Sequence, residues 1–502
     1  MQQINNQAEL QAYLDSLESK LEALNNQISS LAFQKYVDKQ PNPKLAELEQ
    51  QRAAIMLDQS LSQLVNRWLG KADCPVLERR LVAWSNNLLA AQVTARPEIM
   101  QLTRSLADRI ISHRYLVNGN RYDLGTIRGL VRSNPDRSLR RAAWSSYSEL
   151  SDALAADMLQ LFKLRNAAAQ EAGFNNYVDM SLHINGMATA EVEAILQELT
   201  EATESTYRRI LQSGAERLGL DSIEPWDVQY ILEQAGEVPN HHFPKDRILP
   251  ALRQWCDAMG IDLEQLGISH HWIDIPYNGL TMTLSRNDIR ILGNPTDGYA
   301  YYKTAFHELG HALHSALKQV DSMVLRRESG IFTEGLAEVF GYVSHHPEWM
   351  RQMGLNDAEI RSALAGSLGP WFFYLRQRTA YCLFEYAAYQ DPGQNMDQLF
   401  ARTEAAITGG RLDHTPRWAA NAWYVSYPVY WQNYVLADVM SSQVHHHLER
   451  SYGSLYNSPA AYDFVIQHYI APGAMVPWME KIETATGARL NAQALIADLN
   501  NH

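Results

Sequence analysis

Apolar residues fall three and four positions apart along most of this chain, and that spacing constrains its fold more than any other feature. The stretch LQAYLDSLESKLEALNNQISSLAF, residues 10 to 33, is representative. The pattern runs from residue 8 to about 115 with a break at Pro41 and Pro43, and returns over 138–172 and 188–218. The last of these opens on TAEVEAILQELTEATESTYRRIL, where Thr189 followed by Glu191 and Glu193 suits a helix start. Helical spacing resumes at about 299 and continues through 356–390, 396–408, 429–450 and 478–498. Between about 268 and 295 the character changes. HHWIDIPYNGLTMTLSRNDIRILGNP holds β-branched and apolar runs separated by turn chemistry at Asn278-Gly279 and from Ser285 to Asp288. The expectation is a mainly α protein with one small sheet just before residue 299. No Pro/Gly/Ser-rich boundary, fixed-period repeat or low-complexity linker divides the chain, which predicts one domain over 1–502 in two lobes.

With 502 residues, 46% of them hydrophobic and 20% charged, the chain can bury a large core. Its net charge is -13, from 43 Lys plus Arg against 56 Asp plus Glu, and no basic stripe appears. Nucleic acid and anionic membrane are therefore poor partners, and a small molecule or peptide fits better. Cys74, Cys256 and Cys382 are far apart and lack metal-binding spacing, so they predict neither a disulfide framework nor a Cys-rich zinc site. The N-terminus has no basic segment followed by an apolar one, and no apolar run reaches the roughly 18 to 20 residues of a membrane span, so the expected location is cytoplasmic. Oligomeric state leaves no mark that can be read.

Within YKTAFHELGHALHSAL stands HELGH, residues 307 to 311. On a helix His307 and His311 project from one face and can converge on one Zn²⁺. Glu308 is offset around the helix, where it addresses a water at the metal and becomes the candidate general base. The flanks are apolar or small, so two His and a Glu in a buried helix need a metal or ion pairs to offset their desolvation. A two-His zinc site needs a third protein ligand. SGIFTEGLAEVFGYV supplies two acids one turn apart: Glu334 as the expected third ligand, and Glu338 as an acceptor for a ligand-His ring N–H. His314 continues the HELGH face, but a longer metalloprotease pattern would need Gly at 314 and His at 317, where this chain has His314 and Leu317. The pairs His241-His242, His270-His271 and His345-His346, and the run from His445 to His447, read as surface or structural.

The stretch DIRILGNPTDGYAYYKTAFHELGHALHSALKQVDSMVLRRESGIFTEGLAEVFGYVSHHPEWM resembles the angiotensin-converting-enzyme family of dipeptidyl carboxypeptidases. RNAAAQEAGFNNYVDM, EPWDVQY and PGAMVPWMEKIETATG resemble thimet oligopeptidase and oligoendopeptidase F, which share that fold. The similarity is scattered over most of the chain after about residue 135. It implies His307, His311 and Glu334 as ligands of one zinc per chain, Glu308 as base and proton shuttle, and Glu338 behind a ligand His. It also implies a prolate, two-lobed helical molecule around a deep channel, with residues 1 to about 130 as a helical lid region and about 131–502 as the catalytic region. Short peptides would enter the channel, and the strand at about 280–284 would bind their backbone as an added edge strand.

In NAWYVSYPVYWQNYVLADV the resemblance places Tyr434 as hydroxyl donor to the oxyanion. Tyr424, Tyr427 and Tyr430 are the expected substrate contacts. The chain also departs from the family. Tyr424 stands where a second transition-state His is usual, ten residues before Tyr434. The strand-region His falls near Asn278, the carboxylate-gripping Lys at Ala422 and the chloride-binding Arg at Asn433. The reading is a zinc metallopeptidase of short oligopeptides, acting as an oligoendopeptidase or a dipeptidyl carboxypeptidase. The alternative is a catalytically impaired peptide-binding protein on the same scaffold.

Overall fold

The computed structural model describes residues 4–40, 42–234, 239–275 and 277–501. The protein is mainly α, 71% helical, so the two small sheets present are accessories to a helical body. The break expected at Pro41 lies outside the described residues, and Pro43 occupies the first position of the helix Pro43–Met56, where a missing N–H costs nothing.

Two expectations are corrected. The segment 478–498 is two helices, Trp478–Thr486 and Gln493–Asn500, because Gly487 ends the first at φ +78°. The expectation of one small sheet missed a hairpin of β1 (Tyr115–Val117) and β2 (Asn120–Tyr122), just past the helical run read to about 115. Its turn is Asn118-Gly119, at φ +50° and +82°, the pairing a type I′ turn requires.

The chain forms two compact units, each gathered from three separated segments. The first comprises 1–91, 239–357 and 437–491, and the second 92–238, 358–436 and 492–502.

In the first unit the helix Gln7–Asp38 starts at Asn6, whose side chain accepts from the Glu9 N–H. Its apolar stripe of Leu10, Leu14 and Leu21 packs with Leu64, Leu81, Trp84 and Leu325. Glu18 is buried on that stripe and fully satisfied. It accepts from Arg80 Nε at 2.7 Å, Trp84 Nε1 at 2.9 Å, and both Ser322 Oγ and the Met323 N–H at 2.8 Å. The same helix continues to Phe33, which joins Ile275, Leu284 and Leu292 of the second sheet's core.

That sheet has the order β3 (Ile268–Trp272), β5 (Asp288–Gly293), β4 (Gly279–Ser285). β3 is parallel to β5, and β4 is antiparallel to β5, with Gly279 opposite Gly293 and Thr281 opposite Ile291. β4 is thus an edge strand. Alternation along it sends Leu280, Met282 and Leu284 toward the Phe33 cluster, while Gly279 and Thr281 meet the HELGH helix.

In the second unit, two of the stretches that carry the family resemblance are buried polar joints. Arg165 donates to the Tyr424 and Val425 carbonyls, each at 2.6 Å, and Asn166 binds the Tyr389 carbonyl and the Tyr177 N–H. Asp227 of EPWDVQY, fully buried, pairs with Arg140 at 2.7 Å and Arg137 at 2.6 Å. Removing one partner of such a joint leaves an uncompensated buried charge at a cost of about 3–5 kcal/mol.

Candidate metal centre

HELGH lies in the helix Tyr299–Ala316 and the two acids lie in the helix Gly330–Gly341, which Ser329 caps by accepting from the Ile331 N–H. Gly310 allows these helices to touch. A Cβ there would stand 2.9 Å from Ala337 Cα and 3.0 Å from Phe340 Cβ, inside any real contact. The glycine of the motif is therefore set by packing between the helices.

The contact brings His307, His311 and Glu334 together. His307 Nε2 is 3.1 Å from His311 Nε2 and 3.4 Å from Glu334 Oε2, and His311 Nε2 is 3.7 Å from that same oxygen. Tetrahedral zinc with bonds of about 2.0 to 2.1 Å sets its donor atoms roughly 3.3 Å apart. The three atoms fit one such ion in both spacing and chemistry.

The other ring nitrogen, His307 Nδ1, faces Glu338 Oε1 at 3.2 Å, and Lys303 Nζ sits 3.2 Å from Glu338 Oε2. Burial alone would lower the His307 pKa, but hydrogen bonds with Glu334 and Glu338 outweigh it and raise the ring to about 10. Burial alone would likewise raise Glu334, yet its bonds with the two imidazoles hold it well below the ordinary carboxylate range. A divalent metal competes with the proton for the same lone pairs.

Glu308 is 8% exposed, and its carboxylate meets the sheet. Thr281 Oγ1 lies 2.7 Å from its Oε2, and a Cβ added at Gly279 would sit 2.6 Å from its Cγ. Sequence reading missed Thr281, Gly279 and Lys303. Lys303 had a signal, one turn before His307 on the same helix. Thr281 and Gly279 had only the alternation of β4, because what they touch depends on how the strand crosses the helix.

The tyrosines belong to the second unit. Tyr427 is 43% exposed, Tyr430 and Tyr434 are partly buried, and their rings form a run with Trp423. The guanidinium of Arg378 lies 4.8 Å from the centre of the Tyr434 ring. Tyr424 is a correction. Its side chain is fully buried against Phe162 and Phe384, and its hydroxyl donates to the Tyr381 carbonyl at 3.2 Å, so it is a packing residue and no substrate contact.

The model of peptidase family M3 matches residues 130–247. This supports a metallopeptidase of that family, a peptide hydrolase, with zinc implied. The matched segment contains Arg165, Asn166 and Asp227 and ends before HELGH, so the match and the His-His-Glu geometry are independent observations. No curated protein matches the chain. Among the described residues no helix is long and apolar enough to cross a membrane.

Proposed function

We propose that this protein is a zinc metallopeptidase that hydrolyses peptide bonds in short oligopeptides, with His307, His311 and Glu334 as the metal ligands. The observation that carries the reading is the convergence of these three donor atoms beside Glu308 on helices held in contact at Gly310. Zinc held there supplies a Lewis acid for the scissile carbonyl and acidifies a water. Glu308 takes the proton of the attacking water and passes it to the leaving amine. Glu338 accepts from His307 Nδ1, which leaves Nε2 as the ligand atom. β4, at the edge of its sheet among the described residues, would take an extended peptide as an added strand. On the resemblance of NAWYVSYPVYWQNYVLADV, Tyr434 is the hydroxyl donor to the oxyanion and Tyr427 and Tyr430 are peptide contacts. The absence of a membrane-spanning helix among the described residues is compatible with a cytoplasmic peptidase.

Elemental analysis of wild type and His307→Ala tests the metal, and cleavage of a peptide library by wild type and Glu308→Gln tests the chemistry. The expected result is about one zinc per chain, lost in H307A, with peptide cleavage that E308Q abolishes while keeping its zinc. Absence of stoichiometric zinc after reloading would overturn the reading, as would equal cleavage by wild type and E308Q.

A further inference from the structure

Glu308 rests against the sheet at two points. Thr281 Oγ1 is 2.7 Å from Glu308 Oε2 and 3.0 Å from the Glu308 backbone carbonyl. A hydroxyl has one proton, and the shorter contact to a charged acceptor is the stronger of the two, so the proton goes to the carboxylate. Beneath it, Gly279 leaves the space that Glu308 fills: an added Cβ would lie 2.6 Å from Cγ and 2.9 Å from Oε1. Beyond these two residues, a cavity of about 10 Å³ adjoins Glu308, Tyr301 and His270, room for a single water at most. A glutamate carboxylate turns freely about its last torsion, so contacts such as that with Thr281 fix its orientation.

We propose that Thr281 is a positioning residue for the general base: its hydroxyl occupies Glu308 Oε2 and leaves Oε1 as the oxygen that takes and returns the proton. The inference rests on Glu308 being the base. The Thr281 hydroxyl acts through Glu308, so its loss affects the chemical step while the β4 backbone offered to a peptide is unchanged. The role belongs to the hydroxyl, and serine at 281 should perform it while valine of the same shape should not.

The test compares wild type, Thr281→Val and Thr281→Ser as zinc-reconstituted full-length proteins, by crystal structure and by kinetics on one cleaved peptide. T281V should keep stoichiometric zinc, shift the Glu308 carboxylate off the wild-type position, and lose on the order of ten- to a hundredfold in kcat with KM within about twofold, the rate equivalent of one hydrogen bond to a charged group. T281S should restore both the carboxylate position and most of kcat. A Glu308 carboxylate unmoved in T281V, or a T281V kcat equal to wild type, would overturn the proposal. Should wild type cleave no peptide, the peptidase reading fails by itself, and the crystallographic comparison still decides whether Thr281 positions Glu308. If T281V does not fold, Thr281→Ala removes the same hydroxyl without adding bulk and carries the same comparison.

Discussion

Nδ1 of His307 lies 3.2 Å from Oε1 of Glu338, while Nε2 of the same ring faces His311 and Glu334. The imidazole is therefore gripped from both sides, and the carboxylate behind it fixes which nitrogen is free to bind a metal. Lys303 lies 3.2 Å from the other oxygen of Glu338 and helps hold that carboxylate in place. Glu338→Gln should weaken zinc binding by roughly 10- to 100-fold in competition with a chelator. Unchanged zinc affinity would mean that Glu338 serves only as the partner of Lys303.

The separation of the ligand helices depends on one missing methyl group. Gly310→Ala forces a Cβ to within 2.9 Å of Ala337 Cα, and because that neighbour is backbone the helices themselves must part. Such overpacking costs typically about 1–3 kcal/mol. It also moves Glu334 away from His307 and His311. The expected outcome is a lower Tm together with lost zinc, measured by scanning calorimetry and elemental analysis. A stable G310A protein with full zinc would show that the contact tolerates the methyl group.

Three residues beyond His311, His314 enters a buried ionic cluster. Its Nε2 is 2.6 Å from Glu328 Oε2, and Lys481 Nζ is 2.5 Å from Glu328 Oε1. Burial, helped by the charge of Lys318, pushes His314 down to about 4 from its ordinary 6.5. Burial would raise Glu328, but the His314 hydrogen bond and the two lysines outweigh it and hold it near 2. Both folded values lie below the unfolded ones, so as pH falls the unfolded chain binds protons that the folded chain refuses. The contribution of these two groups is full above pH 6.5, declines between 6.5 and about 4 through His314, and declines further between 4.5 and about 2 through Glu328. Tm measured from pH 7 to 4 should fall over this window, and His314→Gln, which keeps a donor to Glu328, should flatten the fall. A Tm independent of pH between 7 and 4.5 would remove the assignment. Glu328→Gln strands Lys481 without its counter-charge and should cost about 3–5 kcal/mol at neutral pH.

What the sequence made legible follows from the range of each interaction. HELGH could be read because its two histidines share a face through local helix geometry alone, and Glu334 because an apolar helix carrying an acid is unusual at any position. The β region at 268–295 was legible in its strands. The mixed order β3-β5-β4 was not, since neighbours there are not consecutive in the chain. The hairpin at Tyr115 to Tyr122 carried an Asn-Gly turn signal, but its strands of three residues are too short to show an alternating pattern. Gly487 marked the end of a helix, but a lone glycine in an apolar pattern is a weak stop. The two units left no boundary in composition because each is assembled from three distant segments. Thr281 was invisible for the same reason: its role exists only once β4 crosses the HELGH helix.

Two tyrosines ten residues apart in one aromatic stretch separate packing from proposed catalysis. The Tyr424 hydroxyl is satisfied inside the second unit by the Tyr381 carbonyl, and its ring is fully buried, so Tyr424→Phe removes one hydrogen bond to a neutral acceptor. The expected cost is about 1 kcal/mol of stability, with kcat close to wild type. Tyr434 is only partly buried, with the Arg378 guanidinium against its ring. If its hydroxyl meets the developing oxyanion, Tyr434→Phe should lower kcat on the order of 10²- to 10³-fold. Steady-state kinetics and melting curves of the two variants, taken side by side on the same peptide, decide the matter. A large kcat loss in Y424F with none in Y434F would reverse the two roles, and a small effect of Y434F alone would leave the oxyanion donor to be sought elsewhere in the chain.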